Sequence, residues 1–517
     1  MVSAQQAALP SVWTRPVSFS VPGEPSNESR RLRVGVVVAS VVVMLVVGFW
    51  GLDRGSMWVD EAATFTMATR PVRQILAVLG GIDAVHGTYH LFMHFWLRLG
   101  GGEVWMRVPS VLAMGVAAGA TAALGMRLAG ARTGLVAGLL FAGWPLVSYY
   151  AQEGRSYALV TAAVLVGTYC LVQALSVRRR RWWWGYALSI VVAAALHEFA
   201  VLAVLAHGMV VLLARPGWRV WRWWLASVLA CAVLMAPVAV LSLQQSSMVS
   251  HVRPPTWSTL DFLAEKFFGS SPWLPALLVG LVVLGTVAEV RRWRRHEGGG
   301  LVAVALPLLL VPAVVLLTVS LVHPLFEIRY ILFSVAGLPL LAARGIDQLA
   351  ASGARATSRI AAGSVVAGLL VAAVSLGQLP DLRHERTMQS RSQDLAGVAA
   401  VVRAEAQPGD AIIFIRLYFR LAAMAYPDAF QPVDDVALHR SAVQAGNLRG
   451  TNRKPPAVRK AMLSRQRIWV IGSKGLRVRS TDRTGATEMA VLREHFARER
   501  SFPIHGVEVA LYVRKDT

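Results

Sequence analysis

Two adjacent acids, Asp60 and Glu61, follow shortly after a long apolar segment. That segment, Val34–Trp50, carries no charged residue, so the acids lie where the chain should have just left a membrane. A carboxylate at a membrane surface could accept a proton as a general base or bind a divalent cation such as Mg²⁺ or Mn²⁺. The alternative is a solvated pair that caps a helix beginning near Ala62, because acids favour helix N-termini.

His86, His90 and His94 recur at four-residue spacing and therefore share one helix face. Zinc ligation is possible in principle, but an interfacial helix whose polar side is histidine is the favoured interpretation. His86 is in addition a candidate substrate-binding residue. The apolar side of the same helix carries Leu91, Phe92, Phe95, Trp96 and Leu99.

A polar and aromatic turn, Ser148–Tyr157, separates two apolar segments. A turn that only connected two helices would be rich in Gly and Ser, so this composition favours a functional site. Arg155 could hold a phosphate, and Glu153 could hold a sugar hydroxyl or a partner arginine. The other candidate substrate-binding residues of this turn are Tyr150, Gln152 and Tyr157.

Two further connections place ionisable residues beside apolar segments. His197 and Glu198 split one apolar run, and Glu327, Arg329 and Tyr330 precede another. Ionisable residues at such depth are costly and usually serve a site. Arg329 with Tyr330 is therefore a second candidate for binding a phosphate.

The elements that must position these residues are membrane-spanning helices. The chain has 517 residues, of which 55% are hydrophobic and 16% charged, and its mean hydropathy is +0.51. A soluble domain of this length is far less apolar. About eleven stretches reach the length of a membrane span. They lie near residues 33–52, 108–128, 133–150, 157–176, 183–198, 199–214, 223–243, 272–290, 301–321, 328–345 and 359–378. Arg107, at the start of the second span, is interpreted as a cation that reaches back to the membrane surface.

The net charge of +23, from 52 Lys and Arg against 29 Asp and Glu, is explained by membrane orientation. Arginines cluster in alternate connections, and the positive-inside rule places those connections in the cytoplasm. The N-terminus is then inside, and every connection with a candidate site residue is outside. Because the basic residues do not gather in one soluble domain, nucleic-acid binding is disfavoured.

The chain divides into three parts. Residues 1–29 are polar and predict a disordered cytoplasmic tail. Residues 30–380 form the membrane domain, whose first outer loop, 53–107, should contain short interfacial helices. Residues 381–517 predict a small extracytoplasmic α/β domain, because helical stretches alternate with three strand-like runs. Those runs are 411–415, 468–472 and 507–513. The predicted fold is thus an all-α polytopic membrane protein with a small α/β domain.

Polar residues gathered on one membrane face predict a site at that interface rather than a channel through the membrane. The arginines suit a phosphate, and the acids suit activation of a hydroxyl group. A substrate linked to a lipid phosphate and approaching from the bilayer would meet both.

The ordered set of motifs resembles the polytopic glycosyltransferases of the GT-C class. In particular it resembles the protein-mannosyltransferase and aminoarabinose-transferase-like group, which includes the actinobacterial mannosyltransferases. The resemblance covers roughly residues 50–345. The motifs are Trp58-Val59-Asp60-Glu61, Asp83–His86, Tyr89–Trp96, Arg107–Ser110, Tyr150–Tyr157, His197-Glu198-Phe199 and Glu327–Ser334. Many relatives have His-Pro-Pro where this chain has His86-Gly87-Thr88.

The resemblance implies transfer of a sugar, by family weight mannose, from a polyprenyl-phosphate donor outside the cytoplasmic membrane. It implies that Asp60 is the catalytic acidic residue, helped by Glu61, and that Arg155 and Arg329 face the lipid phosphate. The hypothesised mechanism is a single displacement with inversion at the anomeric carbon. The acceptor stays open between a protein, a glycolipid and a cell-wall polymer. Two other functions also stay open: a transporter or flippase of a lipid-linked sugar, and a non-catalytic membrane scaffold.

Overall fold

The computed structural model describes residues 17, 19, 27–177, 179–245, 253–357, 360–478 and 482–515. Most of the predicted disordered tail, residues 1–29, lies outside the described residues, so that part stays a prediction. Val17, however, packs with Trp293 and Ala303 in a small apolar cluster. Its N–H donates to the carbonyl of Leu213 at 3.2 Å.

Helices make up most of the chain. In chain order they are α1 (Asn27–Phe49), α2 (Val59–Ala68), α3 (Val72–Leu79), α4 (Gly87–Trp96), α5 (Gly102–Ala129), α6 (Ala131–Ala142), α7 (Pro145–Ala151), α8 (Tyr157–Val177), α9 (Arg180–Leu196), α10 (Val201–Ala214), α11 (Trp218–Gln244), α12 (Trp257–Phe268), α13 (Leu274–Arg294), α14 (Gly300–Val322), α15 (Gly337–Thr357), α16 (Ile360–His384), α17 (Leu395–Glu405), α18 (Arg420–Ala425), α19 (Pro455–Leu463) and α20 (Arg483–His495).

Among the described residues, eight helices are long and apolar enough to cross a membrane. They are α1, α5, α8, α11, α13, α14, α16, and α15 together with the 3-10 segment Ile328–Ala336 before it. A ninth crossing forms if α6 and α7, bent by 61°, are one broken span. The chain is therefore a multi-pass membrane protein.

The two remaining predicted spans, 183–198 and 199–214, correspond to α9 and α10. These helices have 17 and 14 residues. At about 1.5 Å per residue, each is shorter than a bilayer core of roughly 30 Å. The backbone leaves the helical region at His197 (φ −166°, ψ 126°), and this break explains why length alone gives fewer crossings than the predicted eleven.

Small residues let the helices of the bundle approach closely. Gly285 of α13 and Gly345 of α15 face each other's helices. A Cβ atom at Gly285 would collide with the carbonyl of Leu341, and one at Gly345 with that of Leu281. Close backbone approach at small residues is a common way to pack helices in a membrane, where hydrophobic burial gives little driving force.

Contacts between connections divide them into two groups: Arg132 pairs with Asp347 in one group, and Asp60 pairs with Arg329 in the other. One group carries the arginine clusters, for example Arg291–Arg295. The other carries the predicted site residues and leads into the C-terminal domain. We call these two ends of the bundle the basic end and the site end.

The first connection at the site end contains three helices, α2, α3 and α4, and a 3-10 turn, Ala84–His86. The prediction of short helices there is confirmed, and the structure shows which face of α4 is buried. His90 and His94 are buried, whereas Phe95 is 57% and Leu99 is 75% exposed. The apolar side faces outward and the histidines pack inward, which is the arrangement expected of a helix that lies against lipid.

The C-terminal part of the chain contains the predicted α/β domain. Its strands are β1 (Asp410–Phe414), β2 (Val433–Asp435), β3 (Leu438–Arg440), β4 (Thr451–Asn452), β5 (Arg467–Gly472), β6 (Phe496–Ile504) and β7 (Val507–Arg514). The main sheet has the order β2-β1-β5-β7-β6, in which β1 is parallel to β2 and β5 while β7 is antiparallel to β5 and β6. The predicted runs 411–415, 468–472 and 507–513 coincide with β1, β5 and β7.

The sheet is covered on both faces. α19 and α20 pack on one face through Val458, Met462 and Val491. α17 and α18 cover the other face, and their core is continuous with that of the membrane helices. The segment between α16 and α17 runs along the site end of the bundle, so the domain is packed directly on it.

Candidate active site

Residues from four separate connections meet at the site end. α2 contributes the acids, the turn after α7 contributes Arg155, and the 3-10 turn before α4 contributes His86. His197 comes from the break between α9 and α10, and Arg329 comes from the 3-10 segment before α15. The structure thus brings together in space most of the residues that the sequence predicted for the site.

Asp60 is a partly exposed acid of this cluster. Its side chain is 34% exposed, and its Oδ2 lies 3.3 Å from Nη1 of Arg329. Nη2 of Arg329 lies 3.6 Å from Oε1 of Glu327, which is 35% exposed. Arg329 therefore lies between two partly exposed carboxylates and is itself mostly buried.

Glu61, in contrast, is fully buried in a bidentate ion pair with Arg107. Nε and Nη2 of Arg107 each donate to the carboxylate at 2.9 Å, and the N–H of Gly154 donates at 2.7 Å. Burial raises the pKa of Glu61, but Arg107 and the Gly154 hydrogen bond outweigh it and lower the pKa overall. Arg107 also donates to the carbonyls of Gly55 and Ser56. The interpretation of Arg107 as a cation at the membrane surface is therefore wrong.

This pairing bears on the predicted metal site at Asp60 and Glu61. Both oxygens of Glu61 are occupied by Arg107 and Gly154, so they are not available beside Asp60. Over the described ranges, no group of three or more His, Cys, Asp or Glu side chains is placed to hold a metal ion. The two acids therefore do not form the ligand set predicted for Mg²⁺ or Mn²⁺.

Arg155 holds three elements of the site together. Its Nη1 donates to Oγ1 of Thr64 at 2.8 Å and to the carbonyl of Asp60 at 3.3 Å. Its Nη2 lies 2.7 Å from Nε2 of His86. Burial and the nearby Arg155 lower the pKa of His86 well below its usual value. His86 is therefore neutral and accepts at Nε2, so its proton belongs on Nδ1.

The other two histidines of α4 have structural partners. His90 Nε2 lies 2.8 Å from Oδ2 of Asp83, and His94 Nδ1 lies 2.8 Å from the carbonyl of Ala68. Both contacts fasten α4 to neighbouring parts of the first connection. They account for the histidine spacing without zinc.

An aromatic wall lies next to Arg329. The rings of Phe199 and Tyr330 stack with centroids 4.3 Å apart, and His197 lies 4.8 Å from Tyr330. The guanidinium of Arg329 lies within 6 Å of the rings of Tyr157, Tyr330 and Trp58. Flat apolar faces beside a cation suit a ligand that joins an apolar chain or a sugar ring to an anionic group.

The other predicted residues of the turn are more deeply buried. Both hydrogens of the Gln152 amide are donated to the carbonyls of Gly48 and Trp50 at 2.8 Å, so the residue anchors the turn to the end of α1. This occupied side chain does not support the predicted substrate contact. Tyr150 packs edge-on against Tyr157, with centroids 5.8 Å apart. Glu198 opens the turn Glu198–Ala200 and is partly exposed.

Glu153 is buried, and neither of its carboxylate oxygens has a hydrogen-bond partner among the described residues. Its nearest cation is Arg391, with Nη1 at 3.8 Å from Oε2. Burial raises the pKa of Glu153 to about 7, although Arg391 acts in the opposite direction. Arg391 was not predicted as a site residue, because no local sequence signal connects a residue after α16 with the turn after α7.

The comparisons with known proteins agree with this arrangement. Residues 88–242 match the family described as dolichyl-phosphate-mannose-protein mannosyltransferase. The fold is similar to that of ArnT from Cupriavidus metallidurans in the apo state, with 15% sequence identity, a TM-score of 0.62 and coverage of 92% of this chain and 98% of that chain. ArnT bound to undecaprenyl phosphate matches with 17% identity, a TM-score of 0.56 and the same coverage.

AglB from Archaeoglobus fulgidus, in complex with an inhibitory peptide and a dolichol-phosphate, is also similar. It has 8% identity, a TM-score of 0.53 and coverage of 94% of this chain and 74% of that chain. No curated protein sequence matches the chain. The family match and the shared fold confirm the predicted resemblance to polytopic glycosyltransferases of the GT-C class, and they indicate an enzyme of that class.

Proposed function

We propose that this chain transfers a sugar from a polyprenyl-phosphate donor to an acceptor hydroxyl at the outer face of the cytoplasmic membrane. The matched family is described as dolichyl-phosphate-mannose-protein mannosyltransferase, a name that contains a polyprenyl-phosphate sugar. The similar ArnT and AglB structures hold undecaprenyl phosphate and a dolichol-phosphate, respectively. Mannose is therefore the first sugar to test. The arginine clusters of the basic end support an orientation in which the site end faces outward.

One observation carries this proposal: Asp60 is a partly exposed acid with a cation beside it, whereas the neighbouring Glu61 and Glu153 are buried. The side chain of Asp60 is 34% exposed, compared with 0% for Glu61 and 2% for Glu153. Asp60 can therefore reach an acceptor that enters from outside. Glu327 is similarly exposed, at 35%, and Asp60 is preferred as the base because the resemblance implies that role for it. Arg329, at 3.3 Å, can reach a phosphate held at the same place.

In the proposed reaction, the acceptor oxygen attacks the anomeric carbon while Asp60 takes the hydroxyl proton. The bond between that carbon and the phosphate oxygen breaks, and the polyprenyl phosphate leaves with the electron pair. A positioned general base contributes on the order of 10²–10⁴-fold in rate. Arg329 neutralises the leaving phosphate, and in many enzymes such preorganised charge contributes more to the rate than any other effect.

The neighbours of the two central residues have supporting roles in this reaction. The guanidinium of Arg155 is occupied by hydrogen bonds to α2 and His86. Arg155 therefore fixes the geometry of the site, and its charge adds to the positive potential there. Trp58, Tyr157 and Tyr330 surround the guanidinium of Arg329, where the isoprenoid or the sugar ring would pack. Because Glu61 is paired with Arg107 and Glu153 is enclosed, neither carboxylate is placed to attack the anomeric carbon as an enzyme nucleophile. A single displacement with inversion follows.

The purified full-length protein, given undecaprenyl-phosphate [¹⁴C]mannose in liposomes with a membrane extract as the acceptor source, tests the proposal. Labelled product other than free mannose, absent with Asp60→Asn, is the expected result. Movement of the donor across the bilayer without transfer would favour the flippase. If the protein neither transfers nor moves any of a panel of polyprenyl-phosphate sugars, the enzymatic proposal fails and the scaffold is favoured.

A further inference from the structure

Arg391 lies in the segment that joins α16 to the C-terminal domain, yet its side chain is inserted into the site end of the bundle. The residue is only 4% exposed. Its Nη2 donates to the carbonyl of Tyr149 at 3.3 Å and to that of Gln152 at 3.0 Å, and its guanidinium stacks on the ring of Tyr149 at 4.0 Å. Arg391 therefore binds the carbonyls at the C-terminus of α7, which a helix leaves without intrahelical partners.

The turn that begins at this point fixes the orientation of α2. The N–H of Gly154 binds Glu61, and Arg155 binds both Thr64 and the carbonyl of Asp60. A shift at the end of α7 would therefore be passed to the helix that carries Asp60. Nη1 of Arg391, 3.8 Å from Glu153, adds an ion pair within the same turn.

The same segment also supports α2 from its other side. Oε1 of Gln393 accepts from the N–H of Val59 at 3.5 Å, in the first turn of α2. The N–H of Leu395 donates to the carbonyl of Met57 at 3.3 Å, and the N–H of Ala396 donates to Oγ of Ser56 at 3.0 Å. The residues just before Asp60 therefore run alongside the segment that follows Arg391.

The C-terminal domain in turn holds Arg391 in place. Nε2 of His505, at the tip of the β6–β7 hairpin, lies 2.8 Å from the carbonyl of Arg391, and the N–H of Asp394 donates to the carbonyl of His505 at 3.0 Å. We propose that Arg391 is a positioning residue for Asp60, through which the C-terminal domain becomes an integral part of the catalytic end. The inference has two halves. The structural half, that Arg391 holds the turn after α7 against α2, is independent of the proposed function. The kinetic half, that this contact supports catalysis by Asp60, rests on the proposed function.

Hydrogen–deuterium exchange on the full-length protein tests the structural half. Arg391→Ala should increase exchange in residues 149–157 and 58–66. Arg386→Ala is the matched control, because Arg386 is also buried in this segment but donates to the carbonyls of Val47 and Trp50 at the end of α1 and to Oγ of Ser148 within α7, and not to the carbonyls that Arg391 binds. It should increase exchange near residues 46–51 and leave 58–66 at the wild-type rate. Wild-type exchange in both segments of Arg391→Ala would overturn the proposal.

Steady-state transfer tests the kinetic half. Arg391→Ala should lower kcat on the order of 10²-fold with KM for the donor nearly constant, because misplacing a catalytic group by about 1 Å has such an effect. Arg391→Lys, which keeps the charge but not the paired donors, should restore part of kcat, and Arg386→Ala should retain it. A wild-type kcat in Arg391→Ala would refute the positioning role while leaving the sugar-transfer proposal intact.

Two outcomes need a separate readout. If Arg391→Ala does not fold in the membrane, the same measurements on Arg391→Lys test the proposal instead. Increased exchange in 149–157 at an unchanged melting temperature then supports the proposal, and unchanged exchange with unchanged kcat overturns it. If the wild-type protein transfers no sugar, the proposed function fails, but the exchange experiment still decides whether Arg391 holds the turn against α2.

Discussion

Asp60 and Arg329, which belong to connections far apart in the chain, form an ion pair with Oδ2 and Nη1 3.3 Å apart. The pair is only partly exposed, and the aromatic wall closes around Arg329. A donor phosphate would compete with Asp60 for the same guanidinium. Donor binding would therefore free the carboxylate at the moment when the acceptor needs a base.

Asp60→Asn should abolish sugar transfer and leave the protein folded in membranes. The substitution keeps the size of the side chain and removes its ability to accept the acceptor proton. We expect a loss of at least the ~10²–10⁴-fold that a general base contributes. Asp53→Asn is the matched control, because Asp53 is an exposed acid of the same connection. Substantial turnover by Asp60→Asn in the radiolabel assay would contradict the assigned role.

The same substitution should strengthen binding of the donor phosphate. Without the Asp60 carboxylate, Arg329 no longer has to leave an ion pair before it meets the ligand. A partly exposed pair is worth up to ~1 kcal/mol, so undecaprenyl phosphate should bind about fivefold more tightly. Arg329→Gln should weaken binding instead. Titration followed by tryptophan fluorescence or calorimetry measures both, and equal affinity of Asp60→Asn and wild type would argue against competition for Arg329.

Glu61→Gln should destabilise the fold, unlike a change at Asp60. It leaves the buried Arg107 without its counter-charge, and breaking a buried pair from one side costs about 3–5 kcal/mol. Glu327→Gln is the control, because Glu327 forms a longer and partly exposed pair with Arg329. Its effect on stability should be within ~1 kcal/mol. Thermal unfolding in detergent compares the two variants, and equal melting temperatures would show that the Glu61–Arg107 pair is not structural.

The membrane fold follows largely from the sequence, because a segment that is long and apolar enough to cross a bilayer has few other ways to satisfy its backbone. Alternating arginine clusters then assign each connection to one end of the bundle. That reasoning was sufficient to predict that Asp60, Arg155 and Arg329 would gather at one end. It was also sufficient to separate the α/β domain, whose three predicted runs coincide with β1, β5 and β7.

The parts that sequence reasoning missed depend on which side of an element is buried and on contacts between distant segments. The amphipathic pattern of α4 gives two faces but does not show which of them is buried, so the inward packing of His90 and His94 was not predicted. Arg107 looks the same in sequence whether it reaches the membrane surface or pairs with Glu61. Arg391 acts on a turn more than two hundred residues earlier in the chain, and only the packing of the C-terminal domain shows this.

Glu153 should make the stability of the protein depend on pH. Burial raises its pKa from 4.5 to about 7, against the opposing effect of Arg391 and with Glu61, Arg329 and Arg155 also nearby. The folded state therefore holds this proton at a pH where the unfolded chain has released it. The contribution of Glu153 to stability is fully present below about pH 4.5 and declines as the pH rises to about 7.

Glu153→Gln, a neutral side chain of the same shape, should remove this dependence. The variant should melt at a higher temperature than wild type at pH 8 and at nearly the same temperature at pH 5. Glu499→Gln, which changes an exposed acid of β6, is the control. Melting curves of wild type, Glu153→Gln and Glu499→Gln between pH 5 and pH 8 measure the effect. A constant difference between wild type and Glu153→Gln over that range would show that Glu153 is already ionised at pH 5, with Arg391 outweighing its burial.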